Sequence, residues 1–147
     1  MPGWAKALLI IGVIILLLVV GVVGVGVYWW TQNKDALMTR AKQVATEGQE
    51  FGRSTDNQGC MDETISRYKK EPGFRNAISV SIFNRMCLDA SHPTQGFCTD
   101  VPKPTEFVKS AQWRVAQCTK IGLASDSYCQ QLFQPMQEYC AKPSRSD

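Results

Sequence analysis

Six cysteines are the residues of this 147-residue chain best placed to do chemistry: Cys60, Cys87, Cys98, Cys118, Cys129 and Cys140. Thiols of this kind can ligate metal, exchange disulfides or close structural bridges. Zinc sites draw close pairs of ligands from a short turn. Here the smallest gap between cysteines is eleven residues, and the only histidine is His92. A redox dithiol needs two cysteines close together with a lowered pKa, and a c-type haem needs C-x-x-C-H; neither pattern is present. An even count, all of it following a long apolar run, points to disulfides formed in an oxidising compartment. No metal and no cofactor is expected.

The other reactive side chains form no recognisable constellation. A nucleophile needs a base beside it, and His92 lies in ASHPTQG, a turn-like stretch. There is no G-x-S-x-G elbow, and Gly21, Gly24 and Gly26 belong to the apolar run rather than to a phosphate-cradling loop. Glu47, Glu50, Asp62, Glu63 and Asp126 are spaced as on solvated helix faces. No catalytic residue is nominated, and the expectation is a protein that is not an enzyme. After residue 30 the chain carries 15 basic and 13 acidic residues. That balance argues against nucleic acid, which selects a basic stripe. The cluster of Arg67, Lys69, Lys70 and Arg75 is interrupted by Glu71 and reads as a solvated helix end.

The elements that must carry these residues begin with positions 7–27, ALLIIGVIILLLVVGVVGVGV, which hold no charge, amide or hydroxyl. At about 1.5 Å per residue this helix spans roughly 30 Å, the thickness of a bilayer's hydrocarbon core. Trp4 before it and Tyr28, Trp29 and Trp30 after it suit the two headgroup levels. The run is longer than the apolar region of a signal peptide and ends in bulky aromatics without a small-residue cleavage site. Residues 7–30 therefore read as an uncleaved transmembrane signal anchor. Flanking charges (Lys6 on one side; Lys34, Arg40 and Lys42 on the other) do not choose an orientation. The cysteines do, by assigning the C-terminal domain to a periplasmic or other oxidising side and residues 1–6 to a short cytoplasmic head.

Residues 31–52 read as a juxtamembrane helix. Leu37, Ala41, Val44, Gly48 and Phe51 form a narrow stripe along it, suited to packing on one neighbour, either the domain's own core or a partner. Residues 53–141 read as a disulfide-stapled helical domain and 142–147 as a frayed tail. Within the domain, 52–59 reads as a loop, and helices are expected over about 61–70, 74–88, 105–122 and 126–140. Their expected inner faces are Met61, Ile65 and Tyr68; Ile78, Ile82, Phe83, Met86 and Cys87; Phe107, Ala111, Val115 and Cys118; and Cys129, Leu132, Phe133, Met136 and Cys140. Pro135 should kink or split the last helix. No stretch alternates convincingly, so the class is all-α: one N-terminal membrane helix, then four to five helices in two hairpins.

Six cysteines allow fifteen connectivities, which hairpin geometry ranks. Residues equidistant from a turn face each other across an antiparallel pair. Cys60 and Cys87 are centred beside Pro72-Gly73, and Cys118 and Cys129 beside Gly122-Leu123. An extended proline-rich link brings Cys98 within reach of Cys140. The expected pairs are Cys60–Cys87, Cys98–Cys140 and Cys118–Cys129. The stretch from Cys118 to Cys140 resembles coiled-coil-helix-coiled-coil-helix proteins, which are disulfide-stapled helical hairpins. Those space cysteines by nine residues within each helix, whereas here the interval is ten. The resemblance implies shared architecture and carries no function.

The expected function is a membrane-anchored periplasmic or exoplasmic interaction module, an accessory or assembly subunit of a membrane complex. A helical domain that binds lipid or a small apolar ligand in a gap lined by Phe74, Ile82, Phe133 and Met136 is the alternative. A thiol-redox factor is a third reading. Expected partners are membrane lipid and a protein of unknown identity. Candidate contact residues are Trp113, since tryptophan favours interface centres; Gly21 and Gly24, whose small side chains admit a second membrane helix; and Leu37 and Val44 on the juxtamembrane stripe.

Overall fold

The computed structural model describes residues 3–143. Five α-helices and no strand occur among them: α1 (Gly3–Arg53), α2 (Asn57–Lys70), α3 (Phe74–Ala90), α4 (Phe107–Lys120) and α5 (Gln130–Cys140). The chain divides into two compact units, Met1–Arg40 and Ala41–Asp147, with the boundary inside α1. The first unit is helical throughout its described residues and contains the apolar run. Its most apolar 18-residue window has a mean hydropathy of 3.4, and none of it is buried. By length and composition α1 is the one helix among the described residues able to cross a membrane.

The second unit takes in residues 41–53 of α1, and with them most of the stripe read from sequence as suited to the domain's own core or a partner. Val44 and Phe51 pack against its core. Gly48 and Gly52 are buried. The absence of side chains at these two positions lets α1 lie almost against the α3 backbone. A Cβ on Gly48 would sit 2.5 Å from the Phe83 carbonyl oxygen and 3.1 Å from Met86 Cβ, and one on Gly52 would collide with the Cys87 carbonyl.

The loop expected over 52–59 is shorter than that. Asp56 is extended, and its carboxylate accepts a hydrogen bond from the Gly59 amide at 2.8 Å, capping α2 so that the helix starts at Asn57. Such an acceptor satisfies an amide that the first helical turn leaves free. Gly73, with φ 144°, separates α2 from α3, and Gly122, with φ 79°, ends α4. Beyond Gly122 the Leu123 amide donates to the Cys118 carbonyl at 2.8 Å and the Gly122 amide to Thr119 at 3.1 Å. This paired closure needs a left-handed residue, which glycine adopts without strain. α5 remains one helix through Pro135, whose ring is buried.

All six cysteines are bonded, in the pairs Cys60–Cys87, Cys98–Cys140 and Cys118–Cys129, with Cα separations of 5.8, 5.4 and 6.0 Å. The first joins α2 to α3 across the Gly73 turn. The third closes the turn leading into α5, and the second ties the 91–106 connection to the end of α5. Tyr68, Phe83, Leu88 and Leu132 fill the centre with no side-chain exposure above 1 %. Phe97 and Tyr139 meet edge to face at 6.0 Å over the Cys98–Cys140 bridge. The tail expected at 142–147 lies outside the described residues from position 144 onward.

Two of the expected inner faces are rotated. On α3 the buried residues are Ala77, Val80, Phe83, Asn84, Cys87 and Leu88, while Ile78 is 43 % exposed. On α4 only Ser110 and Cys118 are buried, and Phe107, Val108 and Val115 are 80, 71 and 47 % exposed. Polar contacts turn α4. Buried Gln137 on α5 donates to Ser110 Oγ at 2.9 Å and to the Pro102 carbonyl at 3.2 Å, and Ser110 Oγ donates to the Lys103 carbonyl at 3.0 Å. An unpaired buried amide costs about 1–3 kcal/mol. The network holds the Ser110 side of α4 inward and so leaves Phe107 and Val115 exposed.

Candidate functional site

The rotation of α3 leaves an apolar row outside the core. Phe74, Ile78, Ile82 and Met86 follow one another at helical spacing, and Phe74 and Ile78 are 55 and 43 % exposed. Phe74 meets the exposed Tyr128 ring at 5.7 Å. Further along, a cleft of about 400 Å³ runs between α3 and α5, lined by Ile78, Ile82 and Met86 on one wall and Gln131, Gln134 and Pro135 on the other. Arg85 stands at its edge, paired with Glu138 at 2.6 Å. The arrangement offers apolar contact framed by amides and a salt bridge, which suits a protein side chain or helix.

A second cleft, of about 540 Å³, lies between α2 and the end of α4 and is lined by Asp62, Ile65, Ser66, Lys69, Lys70 and Ile121. It is open and mixed in charge. Among the described residues no group of three or more His, Cys, Asp and Glu side chains could hold a metal ion.

The polar groups with perturbed chemistry serve the fold. Tyr68 is fully buried and donates to both Asp126 carboxylate oxygens, at 2.8 and 2.9 Å. Burial, followed by that hydrogen bond, pushes its phenol up to about 12. Asp126 also accepts from the Tyr128 and Cys129 amides at 2.8 and 3.0 Å, which shapes the turn into α5. The Arg67 guanidinium lies 4.0 Å over the Phe83 ring and pairs with Glu63 at 2.8 Å and Glu47 at 3.1 Å. Burial opposes its charge, but the hydrogen bonds it donates to those two carboxylates leave its pKa raised. His92 is exposed, and its backbone forms an isolated bridge with Asp56 through hydrogen bonds to Asn57 and Thr55.

The residues nominated from sequence do not converge. Trp113 is half-buried on the inner side of α4, edge to face with Phe133 at 5.9 Å. Val44 packs on the core, whereas Leu37, in the first unit, is 47 % exposed. A Cβ added at Gly21 or Gly24 would meet nothing within 4 Å. The four residues expected to line a ligand gap have different surroundings. Phe133 is core, Met136 is half-buried, Phe74 faces Tyr128 at the surface, and Ile82 lines the α3–α5 cleft. The outer row on α3 was missed because Ile78, Ile82 and Met86 have the spacing of a core face. No family model, curated protein or solved structure matches the chain.

Proposed function

We propose that the chain is a single-pass membrane protein whose stapled domain acts as an interaction module on the periplasmic or other oxidising side. In this reading the apolar run is an uncleaved signal anchor, residues before it are cytoplasmic, and the domain serves a membrane complex as an accessory or assembly subunit rather than as a catalyst. The observation that carries the reading is the outer row of α3. A domain closed by three disulfides buries its central aromatics yet leaves Phe74 and Ile78 largely exposed beside an apolar cleft. Contiguous exposed apolar residues rimmed by polar ones mark interaction sites on soluble surfaces. The complete pairing of the cysteines supports the oxidising side.

The test is crosslinking in membranes, purification of the intact chain in mild detergent, and comparison of wild type with Ile78→Asp. Ile78 is exposed, so the variant should keep its melting temperature within about 2 °C, the effect of a surface change. A stoichiometric protein recovered with wild type and lost from Ile78→Asp is the expected result. Recovery of the same protein in equal amount with both would remove the α3 row as the contact.

A further inference from the structure

The outward side of α4 is also unpartnered, and its chemistry differs from that of the α3 row. Val108, Ala111, Gln112, Val115, Ala116 and Thr119 are all exposed and all uncharged, with Phe107 exposed at the N-terminal end. Solvated helix faces ordinarily carry charge. The charges lie instead beside this face and are nearly all positive. Lys109, Arg114 and Lys120 are on the helix, which contains no acidic residue, and Lys103 precedes it. Over residues 101–120 the single acid is Glu106, giving a net charge of +3, equal to the net charge of the whole chain. The rest of the protein is therefore neutral overall, and its surplus charge is gathered here. Glu106 pairs with Lys109 at 2.8 Å, and the nearby Glu138 is paired with Arg85.

We infer that the outer face of α4 docks on the surface of an anionic bilayer. Phe107, Val108 and Val115 would enter the headgroup boundary while Lys103, Lys109 and Lys120 contact lipid phosphates. An uncharged apolar face bordered by lysines is the composition of helices that lie in the membrane interface. A protein partner fits less well, because the cleft at the edge of this face, of about 220 Å³, takes in Phe107 and Arg114 beside the polar Ser110, Gln134, Gln137 and Glu138 and not the valines. Lipid attraction of this kind strengthens by roughly fivefold per basic residue near the surface and is screened within about 10 Å at ordinary salt. The inference uses a different face from the α3 row and does not depend on the partner placed there.

The test uses the full chain with its apolar run already sequestered in phosphatidylcholine nanodiscs. These are mixed with separate vesicles of phosphatidylcholine alone or with phosphatidylglycerol, and vesicle-bound protein is separated by flotation. Binding to the anionic vesicles should exceed binding to neutral ones by about tenfold or more and disappear at molar salt. Val108→Asp with Val115→Asp should abolish it. Lys103→Glu with Lys120→Glu, which leaves the Lys109–Glu106 pair intact, should do the same and covers the case in which the first variant fails to fold. Equal flotation with both vesicle types, or binding unaffected by the second variant, would overturn the inference. So would association of two differently tagged nanodisc populations that is lost with Val108→Asp and Val115→Asp, since the face would then be a contact between copies of this chain.

Discussion

Replacing Gly48 with alanine tests whether α1 is seated on the α3 backbone. Alanine is favoured over glycine in a helix interior by about 1 kcal/mol. Propensity alone therefore predicts a more stable protein. The structure reverses the sign. The new Cβ would stand 2.5 Å from the Phe83 carbonyl oxygen and 3.1 Å from Met86 Cβ. Neither obstacle is the free end of a flexible side chain. The first is α3 backbone, fixed where α3 is held by the Cys60–Cys87 bridge and by the Ser81 hydroxyl donating to the Gln131 carbonyl at 3.0 Å. Overpacking of this kind costs about 1–3 kcal/mol, so the net change should be a loss of about 1 kcal/mol. In a domain of this size that lowers the melting temperature by roughly 4–8 °C. Gly21→Ala, which meets nothing within 4 Å, is the control and should not destabilise. The assay is thermal unfolding of the full chain in detergent, followed by near-ultraviolet circular dichroism of the domain's aromatics. A melting temperature for Gly48→Ala equal to or above wild type would refute the close α1–α3 approach.

Tyr68→Phe should remove the buried hydrogen bond to Asp126 and cost about 1.5–3 kcal/mol, the range for a bond to a charged acceptor, read from denaturant unfolding at neutral pH. The same variant has a pH signature. The phenol is raised from 10.0 unfolded to about 12 folded. The folded chain therefore binds more protons between those values, and the associated stability, full below pH 10, is lost as pH rises toward 12. Wild type should lose about 1 kcal/mol more than Tyr68→Phe between pH 9 and pH 11; parallel curves would exclude the raised phenol. The disulfides should differ in weight. Cys98–Cys140 closes 42 residues and Cys118–Cys129 closes 11. Restriction of the unfolded chain then makes paired serine replacement of the first costlier by about 1 kcal/mol, measured as the difference in unfolding free energy between the two double variants.

The connectivity was legible because it depends on turns, and turns have strong local chemistry. Pro72-Gly73 and Gly122-Leu123 located the hairpins, and the cysteines flanking them then faced one another. Helix rotation was not legible on α3 and α4. Apolar periodicity assumes that apolar residues decide which side faces inward, but here Asn57, Thr64, Asn84, Ser110 and Gln137 are also buried. Ser110 and Gln137 look like surface residues until they are seen bonded to each other across α4 and α5. Their network turns Phe107 and Val115 outward, which creates the face that sequence periodicity assigned to the core. The start of α2 was hidden for a related reason. Ser54, Thr55, Asp56 and Asn57 all suit a cap, and only the extended backbone of Asp56 identifies which one acts. Trp113 was nominated as a contact residue because periodicity put it off the inner face of α4; with α4 rotated it meets Phe133 edge to face.

The most direct measurement of the proposed topology is lysine labelling of the full chain in sealed cells or spheroplasts with a membrane-impermeant amine reagent, followed by peptide mass spectrometry. Lys6 lies before the apolar run, and Lys34, Lys69 and Lys120 lie after it. The predicted result is modification of Lys69 from outside, with Lys6 modified only after permeabilisation. Modification of Lys6 from outside, with Lys69 protected until the membrane is opened, would contradict the placement of the stapled domain on the oxidising side.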